Sequence, residues 1–139
     1  MFRDGQTDRS EFKLRGEWAE LLFMTRAAEH SLRVIKPWGD SSRYDLVVET
    51  GGRFLRVQVK STACQRQKHY ACWIEKRGRR CYTAAEIDFF AIYVIPADCW
   101  YILPVDVVNR SKCVLSLSPH NSLSRNACYK EAWHLLRGD

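Results

Sequence analysis

The stretch that most constrains this chain is Arg43 to Ser61, RYDLVVETGGRFLRVQVKS, where two alternating, β-branched runs flank Gly51-Gly52. Paired glycines between alternating runs signal a tight hairpin, because the turn needs positive φ and glycine adopts it without steric cost. With Gly51-Gly52 at the tip, Thr50 falls opposite Arg53, Asp45 opposite Gln58, and Arg43 opposite Lys60. Opposed residues share a face, as do residues two apart on one strand. Asp45, Gln58 and Lys60 are therefore expected on one face, at the end remote from the turn. Leu55, Val57 and Val59 are expected on the other, in a core. An acid, an amide and a lysine gathered beside two apolar strands fit metal-assisted chemistry. A merely solvated polar edge is the plainer alternative.

Upstream, Ser10 is a good N-cap for a helix running to about Ser31. Stepping about 100° per residue gathers Leu14, Leu21, Met24 and Ala28 around Glu17. Glu17 is thus expected inside the apolar arc, where an unpaired charge is costly. Pairing with an arginine is the structural alternative. Glu20 falls on the margin of the arc and Glu29 in solvent. Leu32 to Lys36 reads as a strand stopped by Pro37, and the loop after it offers Asp40 as a fallback acid.

Past Lys60 the chain turns basic and aromatic. Arg66, Lys68, Lys76, Arg77, Arg79 and Arg80 are interleaved with His69, Tyr70, Trp73 and Tyr82, against the lone acid Glu75. Tyr70 to Lys76 is expected as a strand and Arg77 to Arg79 as a turn. Such side chains neutralise phosphates and position a nucleic acid without reading its sequence. The net charge of +6 is consistent with a polyanionic partner. An exposed hairpin with ordinary solubilising charge is the alternative.

Thr83 to Glu86 reads as a helical turn and Asp88 as a structural turn or capping residue. The continuous apolar run Phe89 to Ile95 predicts a central strand covered on both faces, with Trp100 to Leu103 as its partner. Val105 to Asn109 suggests a short helix, Cys113 to Leu117 a last strand, and Ser124 to Leu136 a terminal helix. That helix would carry Tyr129, Trp133 and Leu136 on one stripe packed against the body.

With 139 residues the chain is expected to form one domain, and 46% hydrophobic content excludes disorder. No run approaches a membrane span, and Met1 to Gln6 lacks the apolar core of a signal peptide, so a cytoplasmic location is expected. The six cysteines form no C-x-x-C pair. They are read as reduced, mostly buried small hydrophobes rather than zinc ligands.

An aspartate followed after about a dozen residues by Gln-x-Lys resembles the PD-(D/E)xK nuclease superfamily, and the resemblance covers most of Gly16 to Val105. Within it the chain is similar to the small group-I-intron homing endonucleases and the archaeal-type Holliday-junction resolvases. Tyr44 replaces the motif's proline and Gln58 its second acid. An amide still offers an oxygen to a hard cation, but brings no charge.

The resemblance implies an α/β, restriction-endonuclease-like fold, a mixed central sheet flanked by helices. Its core would span about residues 11–109, with an added strand and helix at 110–139. It implies a DNA endonuclease that hydrolyses phosphodiester bonds with Mg²⁺, for which Mn²⁺ could substitute. Asp45, Gln58, Glu17 and the carbonyl of Val59 would hold the metal, and Lys60 would orient water or stabilise charge on the phosphate. Ser61 resembles the hydroxyl residue that follows the lysine and would join the basic segment in touching DNA. The implied partners are double-stranded or branched DNA and further copies of the chain, as a homodimer or homotetramer, with no membrane. A homing-endonuclease-like duplex cutter is expected. A resolvase-like nuclease and a catalytically silent DNA-binding module are the alternatives.

Overall fold

Gly51 and Gly52 adopt φ of 53° and 76°, and the hairpin closes in the expected register, from Thr50 opposite Arg53 to Leu46 opposite Val57. The structure, a computed structural model, describes residues 8–74, 81–111 and 114–138. Along the chain come α1 (Arg9–Glu29), β1 (Arg33–Ile35), β2 (Leu46–Thr50), β3 (Arg53–Thr62), β4 (Gln65–Arg66) and β5 (His69–Trp73). They are followed by β6 (Phe89–Val94), β7 (Cys99–Pro104), α2 (Val105–Asn109), β8 (Val114–Leu117) and α3 (His134–Arg137).

Five strands form a mixed sheet in the order β1-β2-β3-β6-β7. Its one parallel pair is β3 with β6, from Val57 opposite Phe89 to Thr62 opposite Val94. A parallel pair needs a crossover, and this one contains β4 and β5, which pair with β8 in a separate three-stranded sheet. Asp88 fixes where β6 starts. Its carboxylate accepts the Arg56 backbone N–H at 2.8 Å and the Arg56 guanidinium at 3.0 Å, while its own N–H donates to Arg56 O. Burial alone would raise the Asp88 carboxyl, but the bonds and charge of Arg56 outweigh it and hold it below the ordinary value.

The sheet separates two cores. On one face Val57, Val59, Ala91 and Tyr93 pack against Ala19, Phe23 and Ala27 of α1 and against Trp100 and Trp133. On the other, Phe90, Ile92, Val94 and Leu103 meet Ile87, Val108 and Leu115. Burial on both faces accounts for the unbroken apolar run of β6.

Two helices depart from expectation. In α1 the cap position is taken by Asp8, with the Ser10 hydroxyl donating to its carboxylate at 2.8 Å. The buried stripe is Arg15, Ala19, Phe23 and Ala27, whereas Leu14 and Leu21 are 56% and 61% exposed. Glu17 is accordingly exposed, not buried. The helix carries apolar residues most of the way round, and the wide packing surface of β3 selects the face that offers alanines for close approach.

The expected terminal helix over Ser124 to Leu136 does not form. A 3-10 turn at Ala127–Tyr129 and the four-residue α3 replace it, and Glu131 between them has a φ of 52°. The reason is the open edge of β7. Glu131 donates its N–H to Trp100 O and its carboxylate accepts Trp100 N–H at 2.8 Å and Trp133 Nε1–H at 2.7 Å. Lys130 forms a bridge with Tyr101. Edge pairing thus outcompetes helix propagation, while Trp133 and Leu136 still reach the core.

All five described cysteines are free thiols: Cys72 and Cys99 are buried, Cys64 is half-buried, and Cys81 and Cys128 are exposed. Among the described residues no helix is long and apolar enough to cross a membrane.

Candidate active site

Regular pairing of β2 with β3 ends at Leu46. Asp45, one residue beyond, keeps its backbone N–H on Val57 O at 3.0 Å, and its carboxylate accepts the Val59 N–H at 2.8 Å. The side chain thus does the work of a strand carbonyl, and it ties Asp45 to the strand that carries Gln58 and Lys60. Those two alternate with buried Val57 and Val59, so they lie on the opposite face of β3 and are half-buried. Arg43 does not reach Lys60: beyond Leu46 the chain leaves the ladder and Arg43 pairs with Glu86 at 3.1 Å.

Burial raises the Asp45 carboxyl to about 6, against the lowering effect of the Val59 N–H. The charge of Glu20 raises it further, while Lys60 and Lys36 lower it. Asp45 therefore feels both the helix acid and the strand lysine. Lys60 Nζ lies 6.0 Å from the centre of the Tyr82 ring, a favourable placement for an ammonium over an aromatic face. Tyr82 is itself buried, and desolvation followed by the charges of Asp45 and Glu86 raises its phenol.

Two clefts meet at the N-terminal half of α1, sharing Phe12 and Gly16. The acidic one, of about 410 Å³, is lined by Glu17, Glu20, Asp40 and Asp45 together with Lys36 and Tyr44. Glu20 is 18% exposed and bonded to Lys36 at 2.7 Å, a contact that raises the lysine. On the helical wheel Glu20 lies about 80° from the middle of the buried stripe and Glu17 about 140°. Both acids line the cleft, but Glu20 is the one whose charge acts on Asp45. The Ala19-Phe23-Ala27 spacing was the available sequence signal for this face.

The second cleft, of about 640 Å³, is lined by Lys60, Ser61 and Thr62, by Arg15 and by Trp73. Ser61 is half-buried and accepts the Arg15 Nε–H at 3.1 Å, a contact that sequence alone did not suggest. Arg66 and Lys68 are exposed on the β4–β5 ribbon, the Arg66 guanidinium 5.9 Å from the Trp73 ring centre. Lys76, Arg77, Arg79 and Arg80 lie outside the described residues.

Among the described residues no three His, Cys, Asp or Glu side chains converge as a ready-made metal cage. The available donors are all oxygens: the carboxylates of Asp45 and Glu20, the Gln58 amide and the Val59 carbonyl. Such a set suits a hard cation. Asp45, pushed up by burial and by the Glu20 charge, is a group whose ionised form a cation would favour. The residues present fit a divalent metal of this kind.

The mixed five-stranded sheet with α1 laid on one face, and Asp45, Gln58 and Lys60 at the open end of its hairpin, defines a restriction-endonuclease-like fold. The chain belongs to the PD-(D/E)XK endonuclease family, whose profile matches residues 10–136. Among solved structures it is similar to a bacterial homing endonuclease, I-Ssp6803I, at 31% identity and a TM-score of 0.80, over 96% of this chain and 95% of that one. It shares its fold with Hjc of Archaeoglobus fulgidus, a Holliday junction resolvase, at 16% identity and a TM-score of 0.50, over 75% and 84% of the two chains. Among curated proteins no significant match is found.

Proposed function

We propose that this protein is a divalent-metal-dependent DNA endonuclease that hydrolyses phosphodiester bonds in duplex DNA, with Mg²⁺ as the physiological ion and Mn²⁺ as a substitute. The observation that carries the reading is the bond from Val59 N–H to the Asp45 carboxylate, which ties the acid to the strand of Gln58 and Lys60. Asp45 also shares an acidic cleft with Glu20, and the cleft that Lys60 lines adjoins it. Asp45, Gln58 and the Val59 carbonyl would hold the metal. Glu20 fits the helix-acid role better than Glu17, because it is the acid whose charge reaches Asp45.

When bound, the ion would polarise the scissile phosphate and lower the pKa of the attacking water. Lys60, steadied over the Tyr82 ring, would orient that water or offset charge developing on the phosphate. Arg66, Lys68 and Ser61, together with the basic residues Lys76, Arg77, Arg79 and Arg80, would hold the backbone of the duplex.

Duplex cutting over the homing-endonuclease likeness is the favoured reading, and two copies or four would supply one site per strand. The protein would act on DNA in the cytoplasm. The second reading is a catalytically silent DNA-binding module, favoured by the neutral Gln58 and by the want of a three-acid cluster among the described residues. Nicking of supercoiled plasmid and of four-way junctions, with and without Mg²⁺, tests both. Metal-dependent cutting of the plasmid supports the endonuclease, cutting confined to junctions supports a resolvase-like activity, and binding without cutting supports the silent module.

A further inference from the structure

The tip of the β4–β5 ribbon and the loop that leaves β8 enclose a third cleft, of about 540 Å³, away from the acid cluster. Gln65, Gln67, Lys68, His69, His120 and Asn121 line it, with no acid among the lining residues. Side-chain amides and imidazoles predominate, with one lysine among them. That composition differs from the basic, phosphate-holding character of the rest of this segment. Side-chain amides present a donor and an acceptor side by side, the pattern that pairs with the N6 and N7 edge of adenine in the major groove.

The shape is suitable as well. β4 and β5 form an antiparallel ribbon, with Arg66 opposite His69 and Gln67-Lys68 at its tip. A two-stranded ribbon is one of the elements that the major groove admits. Gln67 is exposed at the tip with a φ of 55°, and among the described residues its carboxamide makes no hydrogen bond. Asn121 is already anchored: its Oδ1 accepts Leu123 N–H at 3.0 Å, which leaves the NH₂ donors for a partner.

The ribbon is also rigidly tied to the candidate active site. Thr62, buried at the end of β3, donates its hydroxyl to Ala71 O and accepts the Cys64 N–H at 3.2 Å. Cys64 O in turn accepts Ala71 N–H at 2.9 Å. These bonds fasten the turn between β3 and β4 to β5. The strand bearing Lys60 therefore sets where the ribbon tip lies. Gln67 lies seven residues after Lys60, at most about 25 Å of chain. At about 3.4 Å per base pair the tip falls within about one helical turn of the cleavage point.

We infer that this cleft is the base-reading site of the protein, with the Gln67 amide, supported by Gln65 and Asn121, recognising base edges in the major groove. The inference rests on the endonuclease reading and deepens it, separating the side chains that select a sequence from the cations that hold the backbone. An uncharged amide that reads a base contributes discrimination without releasing counterions.

The test is selection of bound duplexes from a random-sequence library by the parent and by Gln67→Ala, followed by titration of selected and scrambled duplexes at several salt concentrations. Gln67→Asn is the second variant, since asparagine suits the left-handed backbone and keeps a shorter amide. The expected result is that Gln67→Ala loses preference at one or two adjacent positions of the selected motif. Its discrimination should fall about 5- to 150-fold there, the value of one amide–base pair. Affinity for scrambled duplex should stay within about two-fold, and the salt slope should not change. Lys68→Ala should do the converse, weakening all duplexes and lowering the slope by about 0.9. If the parent binds duplex but selects no motif, or if both Gln67 variants select the parental motif unchanged, the cleft does not read bases. If the parent binds no duplex at all, the endonuclease reading itself falls.

Discussion

The carboxylate of Asp45 accepts the backbone N–H of Val59 at 2.8 Å, so the acid at the mouth of the hairpin is bonded to the strand that carries Gln58 and Lys60. The site keeps its geometry through this bond even where the β2–β3 ladder has ended. Burial and then the charge of Glu20 raise the Asp45 carboxyl to about 6, against the lowering effect of this bond.

Asp45→Asn should therefore stabilise the metal-free protein above pH 6. The folded-state value of about 6 exceeds the ordinary value near 4, so the cost of ionised Asp45 is fully present above pH ~6 and vanishes below pH ~4. The amide keeps the acceptor for Val59 N–H and removes the charge. The gain in melting temperature over the parent at pH 7.5, worth at most about 2–3 kcal/mol, should shrink as pH falls through 6 toward 4. Mg²⁺ or Mn²⁺ should raise the parent's melting temperature and leave the variant's unmoved. A variant that melts lower at pH 7.5, beside a parent that ignores metal, would show Asp45 to be structural only.

Glu20 and Glu17 line the same cleft but differ in their hold on Asp45. Glu20→Gln should abolish most cleavage and reduce the metal-induced rise in melting temperature, whereas Glu17→Gln should leave both within a few-fold of the parent. Thermal melts at graded Mg²⁺ concentrations read the difference without relying on activity. The reverse ranking would restore Glu17 to the site.

Lys60→Ala should eliminate cleavage while DNA affinity stays within a few-fold, since under the proposed function the basic segment would supply the phosphate contacts. Tyr82→Leu removes the ring beneath the ammonium and should lower the cleavage rate without changing duplex affinity. Tyr82→Phe, which keeps the ring, should largely retain it. Normal cleavage by a folded Lys60→Ala protein would remove the lysine from the mechanism.

Glu131 closes the β7 edge through Trp100 N–H and Trp133 Nε1–H. Glu131→Ala leaves both donors without their acceptor and should destabilise the fold by about 2–4 kcal/mol. Glu131→Gln, which retains an acceptor, should cost about half as much. Urea denaturation midpoints measure the difference. A neutral Glu131→Ala would mean that the edge is sealed by the backbone alone.

Much of the architecture was legible in the residues themselves. Gly51-Gly52 determines the hairpin tip and, with it, the alternation that puts Gln58 and Lys60 opposite Val57 and Val59, because side-chain direction on a strand has a period of two. The run Phe89 to Val94 announces a doubly covered strand for the same local reason. The Asp45, Gln58 and Lys60 spacing, read with its family resemblance, pointed to the endonuclease family that the profile match then established.

What only the tertiary structure decided are the choices between locally equivalent options. Helix α1 is apolar on most sides, so its sequence does not say which face is buried; contact with β3 chooses Ala19, Phe23 and Ala27, which leaves Glu17 exposed and Glu20 half-buried in the cleft that both share with Asp45. The segment from Ser124 to Leu136 has helical spacing, yet the unpaired edge of β7 captures Glu131 and breaks it, since backbone groups left open at an edge outweigh a weak local propensity. The cleft of Gln65, Gln67 and Asn121 joins residues more than fifty positions apart. No local pattern encodes it, because it exists only once β5 has paired with β8.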